Sequence, residues 1–134
     1  MEPSERKRVL LVDDEANFTR VLKAYLEATG RFEVRAEQSA AAGLAAANAW
    51  APDVMILDVV MPDQDGGALA AQLQATPRLA HVPVLFLTAV VSRDEVQSHR
   101  GTIGGQRFLP KPVSAKDVLE QINQALGATE RRDA

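Results

Sequence analysis

Along this 134-residue chain, short unbroken apolar runs alternate with longer segments whose apolar residues recur at helical spacing. The runs are Val9-Leu10-Leu11-Val12, Val54-Met55-Ile56-Leu57, Val84-Leu85-Phe86-Leu87 and the shorter Phe108-Leu109. Runs without polar alternation fit strands covered on both faces. Strands alternating with helices predict a parallel sheet, an α/β architecture with helices on both sides. Phe32 to Ala36 reads as a weaker strand at the sheet edge.

The helical segments carry their own start and stop signals. After Asp13-Asp14, the residues Phe18, Val21, Leu22, Tyr25 and Leu26 follow i, i+3, i+4, i+7, i+8, and Gly30 is placed to end that helix. Ser39 can cap an alanine-rich helix running to about Trp50, where Pro52 stops it. Leu69 and Leu73 mark a third helix that must finish before Pro77. Ser92 with Glu95 makes a capping box for a fourth, whose pattern (Val96, His99, Ile103) is thin and interrupted by Gly101 and Gly104-Gly105. Thin packing of this kind is expected of a mobile element. Ser114 with Asp117 opens the last helix, through Val118, Leu119, Ile122 and Leu126 to Gly127. The expectation is five strands and five helices in one domain over residues 1–127. A short polar tail, residues 128–134, would follow as the start of a linker.

Composition narrows the classes. A net charge of −3 carries no basic excess, which argues against a nucleic-acid surface within the chain. Zero cysteines excludes disulfides and thiolate metal sites and fits a reducing compartment. No apolar stretch approaches the roughly 20 residues of a membrane span. Residues 1–8 are polar, without the hydrophobic segment of a signal peptide. The expected location is the cytoplasm, with no membrane contact.

The candidate chemistry lies where the apolar runs end. The first gives way to Asp13-Asp14-Glu15, and the second to Asp58 and the turn Met61-Pro62-Asp63-Gln64-Asp65-Gly66. The third gives way to Thr88-Ala89, and the fourth to Pro110-Lys111-Pro112. In an open parallel sheet the carboxyl ends of the strands form the crevice that binds ligands. Three acids, a hydroxyl and a lysine would meet there. Two carboxylates about 4 Å apart repel by roughly 4 kcal/mol at an effective dielectric near 20, a cost relieved either by protonation of one of them or by a bound cation. Oxygen donors without histidine or cysteine favour a hard cation, and Mg²⁺ suits a site that also admits water and phosphate oxygens. A carboxylate is a nucleophile toward a phosphoryl group, and such transfer needs mainly alignment and positive charge. The cation and the Lys111 ammonium supply that charge, while the Thr88 hydroxyl and nearby backbone N–H groups can hydrogen-bond the product.

Each residue also has a plainer reading. Asp58 could be a turn or capping residue, Thr88 the end of a strand, and Phe108 a core aromatic. Glu15, Asp63 and Asp65 fit solvated or capping carboxylates better than metal ligands, and His81 and His99 fit the surface.

Taken in order, these pieces resemble a response-regulator receiver domain of two-component signalling. The resemblance rests on Asp13-Asp14, on Asp58 with Met61-Pro62 and Asp65-Gly66, on Thr88-Ala89, and on Phe108 with Lys111-Pro112, and it spans residues 7–126. It implies a (βα)5 doubly wound, flavodoxin-like fold with strand order 2-1-3-4-5. Asp58 would accept a phosphoryl group from a sensor histidine kinase or a phosphotransfer protein. Asp14 and Asp58 would bind Mg²⁺ directly, Asp13 through water and Val60 through its carbonyl. Thr88, the Ala89 backbone and Lys111 would contact the phosphoryl oxygens, and the Lys111–Pro112 peptide would be cis. Phe108 matches the switch aromatic that turns inward when Thr88 moves toward the phosphate. The face made by the fourth helix, last strand and fifth helix would dock a target protein or a second copy.

Some positions depart from the family pattern. Val60 and Val90 carry no polar group to orient an attacking water, so the phosphorylated form is expected to be long-lived. Phe108 lacks a tyrosine hydroxyl, so its switching would rest on packing. Two rival functions remain at this stage. An aspartate-nucleophile phosphatase would need a second Asp two residues after the nucleophile, where Val60 stands. A receiver fold used only for docking would never be phosphorylated.

Overall fold

The computed structural model describes residues 6–58, 66–88, 102–103, 106–110 and 113–133. In chain order the elements are β1 (Lys7–Val12), α1 (Ala16–Ala28), β2 (Phe32–Glu37), α2 (Ala40–Trp50), β3 (Val54–Asp58) and α3 (Gly66–Gln74). They are followed by β4 (Val84–Thr88), β5 (Thr102–Ile103), β6 (Gln106–Pro110) and α4 (Ala115–Asp133). One sheet runs in the order β2-β1-β3-β4-β6-β5. All pairings are parallel except that of β5 with β6. The five parallel strands therefore have the expected 2-1-3-4-5 order.

The strand residues alternate between two cores, as the pleat requires. Leu10, Val12, Met55, Leu57 and Phe86 face α2 and α3, packing on Ala46, Ala47, Leu69 and Leu73. Val9, Leu11, Ile56, Leu85 and Leu87 face α1 and α4, packing on Leu22, Leu26, Val118 and Ile122. Burial on both sides is why these strands read as continuous apolar runs.

Local signals operate largely as expected. The Ser39 hydroxyl accepts from the Ala42 N–H at 3.1 Å, and Ser114 accepts from the Asp117 N–H at 3.0 Å. Gly30, at φ 77°, ends α1 in the left-handed region that glycine adopts without strain. Within α2, the absence of a side chain at Gly43 lets the helix lie against Val12: a Cβ there would sit 2.7 Å from a valine methyl.

Three details differ from the sequence-based expectation. In α1, Thr19, Leu22 and Leu26 are buried, whereas Val21 and Tyr25 are 64% and 40% exposed. The buried stripe is narrower than the apolar pattern, and Thr19 enters it because its hydroxyl donates to the Ala16 carbonyl at 3.0 Å. Ile103, expected in the fourth helix, lies in β5, where it pairs with Gln106. The two residues between them in sequence, Gly104-Gly105, are a pair that two-residue hairpins favour. The rest of that expected helix, residues 92–101, lies outside the described residues. Finally, α4 continues past Gly127 to Asp133, so the expected tail is helical for most of its length. Gly127 has no positive φ, and the Ala, Glu and Arg residues that follow are good helix formers.

Candidate functional site

The order of the sheet reverses between β1 and β3, because β1 connects outward to β2 and the chain then returns to place β3 on the other side. Open α/β sheets bind ligands outside the strand ends at such a reversal. Val12 pairs with Leu57, so the next residues along, Asp13 and Asp58, fall opposite each other on adjacent strands. Strand spacing and pleat therefore bring two carboxylates together, on the same face.

Both are buried, Asp13 at 1% and Asp58 at 5% exposure, while Asp14 faces solvent. One carboxylate oxygen from each of Asp13, Asp14 and Asp58 lies within 4.8 Å of the other two. The chain beyond β1 is held in place by backbone as well: the Asp13 N–H donates to the Glu37 carbonyl at 3.1 Å. Asp13 Oδ1 accepts from the Glu15 N–H at 2.9 Å, a turn that leads the chain into α1. Glu15 stands at the N-cap of α1 without a side-chain cap bond.

Carboxylate oxygens of Asp13 and Asp58 lie within 4.8 Å of each other, and two unit charges at that limit repel by about 3.5 kcal/mol at an effective dielectric of about 20. Three carboxylates in one cluster, with solvent on the Asp14 side, fit a hard divalent cation that keeps part of its water shell. Mg²⁺ matches this donor set. The chain has no cysteine, and among the described residues the exposed His81 is not part of the cluster.

Thr88 is the last residue of β4, next to Leu87, which pairs with Asp58. Thr88 in turn pairs with Pro110, the residue before Lys111. Phe108 lies on β6 with its ring stacked on Phe86, centroids 5.1 Å apart and planes 22° from parallel. The backbone thus carries Asp13, Asp58, Thr88 and Pro110 to the same end of consecutive strands. Val60, the turn over residues 61–65, Ala89, Val90, Lys111 and Pro112 lie outside the described residues, as does the Thr88 side chain.

Sequence reasoning passed over Gly43 and the β5–β6 hairpin, and read Phe86 only as one residue of an apolar run. A lone glycine inside an alanine-rich helix was a signal of close packing. Gly104-Gly105 between two short strand-forming stretches was the signal for a hairpin. The pairing of Phe86 with Phe108 gave no signal, because the two are neighbours only across strands.

Comparison with known proteins agrees with this fold. Residues 9–123 match the family profile of the response regulator receiver domain. The chain is 33% identical over 120 residues to the protein PilH of Pseudomonas aeruginosa, covering 89% of this chain and 97% of PilH. It is 35% identical over 121 residues to the transcriptional regulatory protein GltR of the same species, covering 90% of this chain and 49% of GltR. It is 39% identical over 114 residues to the response regulator PleD of Caulobacter vibrioides, covering 84% of this chain and 24% of PleD. It therefore spans half or less of the length of GltR and PleD. Among solved structures, a CheY-like receiver domain from Methanospirillum hungatei superposes with a TM-score of 0.78 at 28% identity, covering 95% of this chain and 98% of that one. The chemotaxis response regulator CheY4 of Vibrio cholerae superposes with a TM-score of 0.77 at 26% identity, covering 90% and 99%. No helix among the described residues is long and apolar enough to cross a membrane.

Proposed function

Because the chain belongs to the response regulator receiver domain family of two-component signalling, we propose that it is a phosphorylation-operated switch with Asp58 as phosphoacceptor. The observation that carries this reading is the convergence of the Asp13, Asp14 and Asp58 carboxylates within 4.8 Å. A turn or capping role for Asp58 does not account for three acids brought together at a sheet reversal.

The donor is a sensor histidine kinase or a phosphotransfer protein. An Asp58 carboxylate oxygen forms a P–O bond as the P–N bond of the donor's phosphohistidine breaks. The imidazole leaves with the bonding electrons and takes up a proton. A carboxylate nucleophile carries no proton to remove, so no general base is needed. Asp14 and Asp58 would hold Mg²⁺ directly, with Asp13 through water and Val60 through its carbonyl. When bound, the ion offsets the negative charge of the carboxylates and of the transferring phosphoryl oxygens. Thr88, the Ala89 backbone N–H and Lys111 would contact those oxygens, with a cis Lys111–Pro112 peptide as the family resemblance implies. Because Val60 and Val90 cannot orient water, the acyl phosphate persists, and loss of label within seconds would contradict this.

The signal leaves through the face that includes β6 and α4, where Phe108 responds to the position of Thr88. A protein target, a second copy or a linked output domain reads that face in the cytoplasm. The chain acts as a switch rather than a turnover enzyme, and binds neither nucleic acid nor membrane itself.

Incubation with Mg²⁺ and acetyl phosphate tests the reading by intact mass. A persistent gain of about 80 daltons, the mass of one phosphoryl group, is expected, and it should be absent from Asp58→Ala. Catalytic consumption of acetyl phosphate without an adduct would mean a phosphatase. A folded protein that takes no label would mean a docking module.

A further inference from the structure

Phe86 and Phe108 are register partners on β4 and β6, and their rings stack at 5.1 Å. Phe86 is 4% exposed and belongs to the core shared with α2 and α3, whereas Phe108 is half-buried and leans on that core from its rim. One ring is thus anchored and the other rests on it. Phe86 lies two residues before Thr88, and Phe108 lies two before Pro110, which pairs with Thr88. The stack therefore joins the two strands whose ends carry the Thr88 and Lys111 positions. Phe108 has no hydroxyl, so ring packing is its means of holding a preferred orientation.

We propose that Phe86 is a positioning residue of the site: by stacking, it holds the Phe108 ring inward and so favours the arrangement of β4 and β6 that accepts a phosphoryl group at Asp58. This rests on the phosphorylation reading above and names the residue that tunes it. A side chain of similar size without a ring fills the same space but supplies no stacking surface. Phe108 then samples outward orientations, and the population ready for transfer falls.

The experiment measures the rate of Asp58 labelling by Mg²⁺ and acetyl phosphate in wild type, Phe86→Leu, Phe86→Met and the ring-retaining Phe86→Tyr. The protein is also labelled with 4-fluorophenylalanine, and Phe108 is identified among the four phenylalanines by its loss in Phe108→Leu. Expected are a twofold to tenfold slower rate in both ringless variants, about the equilibrium effect of one aromatic pair, and a displaced Phe108 fluorine resonance. Phe86→Tyr should label within about twofold of wild type, since it keeps the stacking ring. In a Phe108→Leu background, Phe86→Leu should change the rate no further. Two ringless variants keep the test alive if one fails to fold. A lower thermal midpoint with an unchanged labelling rate would show a purely structural role and overturn the proposal. An undiminished effect in the Phe108→Leu background would also overturn it. Wild type that takes no label would instead sink the phosphorylation reading itself, a distinguishable outcome.

Discussion

Replacing Gly43 by alanine sets two opposing effects against each other at one atom. The new Cβ would lie 2.7, 3.0 and 3.4 Å from three side-chain carbons of Val12. Overpacking of this kind costs about 1–3 kcal/mol. Alanine in place of glycine in a helix interior returns about 1 kcal/mol. Val12 is 0% exposed and β-branched, so it has little freedom to rotate away. The balance is a net loss of about 1 kcal/mol, or a fall of about 3–4 °C in the thermal midpoint for a domain of this size. Because Val12 immediately precedes Asp13, relief of the clash also displaces one member of the carboxylate cluster. Mg²⁺ tolerates little departure from its preferred geometry, so its apparent affinity should weaken by about threefold to tenfold. The assay is urea denaturation of wild type, Gly43→Ala, Val12→Ala and the double variant, each with and without Mg²⁺. Val12→Ala removes both branch carbons, so the double variant should be more stable than the sum of the single changes by about 1–3 kcal/mol. A Gly43→Ala protein about 1 kcal/mol more stable than wild type, with unaltered Mg²⁺ response, would refute the argument, since propensity alone would then have acted.

Three further outcomes follow from the same geometry. Asp58→Asn removes a charge within 4.8 Å of Asp13 and should raise stability in chelator by about 2–4 kcal/mol; millimolar Mg²⁺ should narrow the difference in parallel denaturation curves. Ser39→Ala deletes the acceptor for the Ala42 N–H and should cost about 1 kcal/mol, read by the denaturation midpoint. Ala51 closes α2 at φ 55°, a left-handed conformation costing an L-residue about 1–2 kcal/mol. Ala51→Gly should therefore stabilise by about 0.5 kcal/mol after the entropy of the glycine is counted, and a lower midpoint would contradict that.

Sequence alone determined the elements whose cause is local or periodic. Four apolar runs could be strands covered on both faces and little else, and each ended in a residue with chemistry. Ser39, Ser114 and Gly30 marked helix ends because capping bonds and positive φ act within a few residues. Once parallel strands were inferred, the meeting of Asp13 with Asp58 was legible too, because strand ends share one edge of a parallel sheet. Tertiary structure decided what depends on neighbours distant in the chain. The α1 pattern marked Val21 and Tyr25 as apolar, yet only the placement of the helix on the sheet left them outside and drew Thr19 in. The stacking of Phe86 on Phe108 depends on the β4–β6 register, which no local signal encodes. Gly43 announced a close approach without naming Val12 as the surface approached. Periodicity reports which faces are apolar, whereas burial and contact depend on where packing sets those faces.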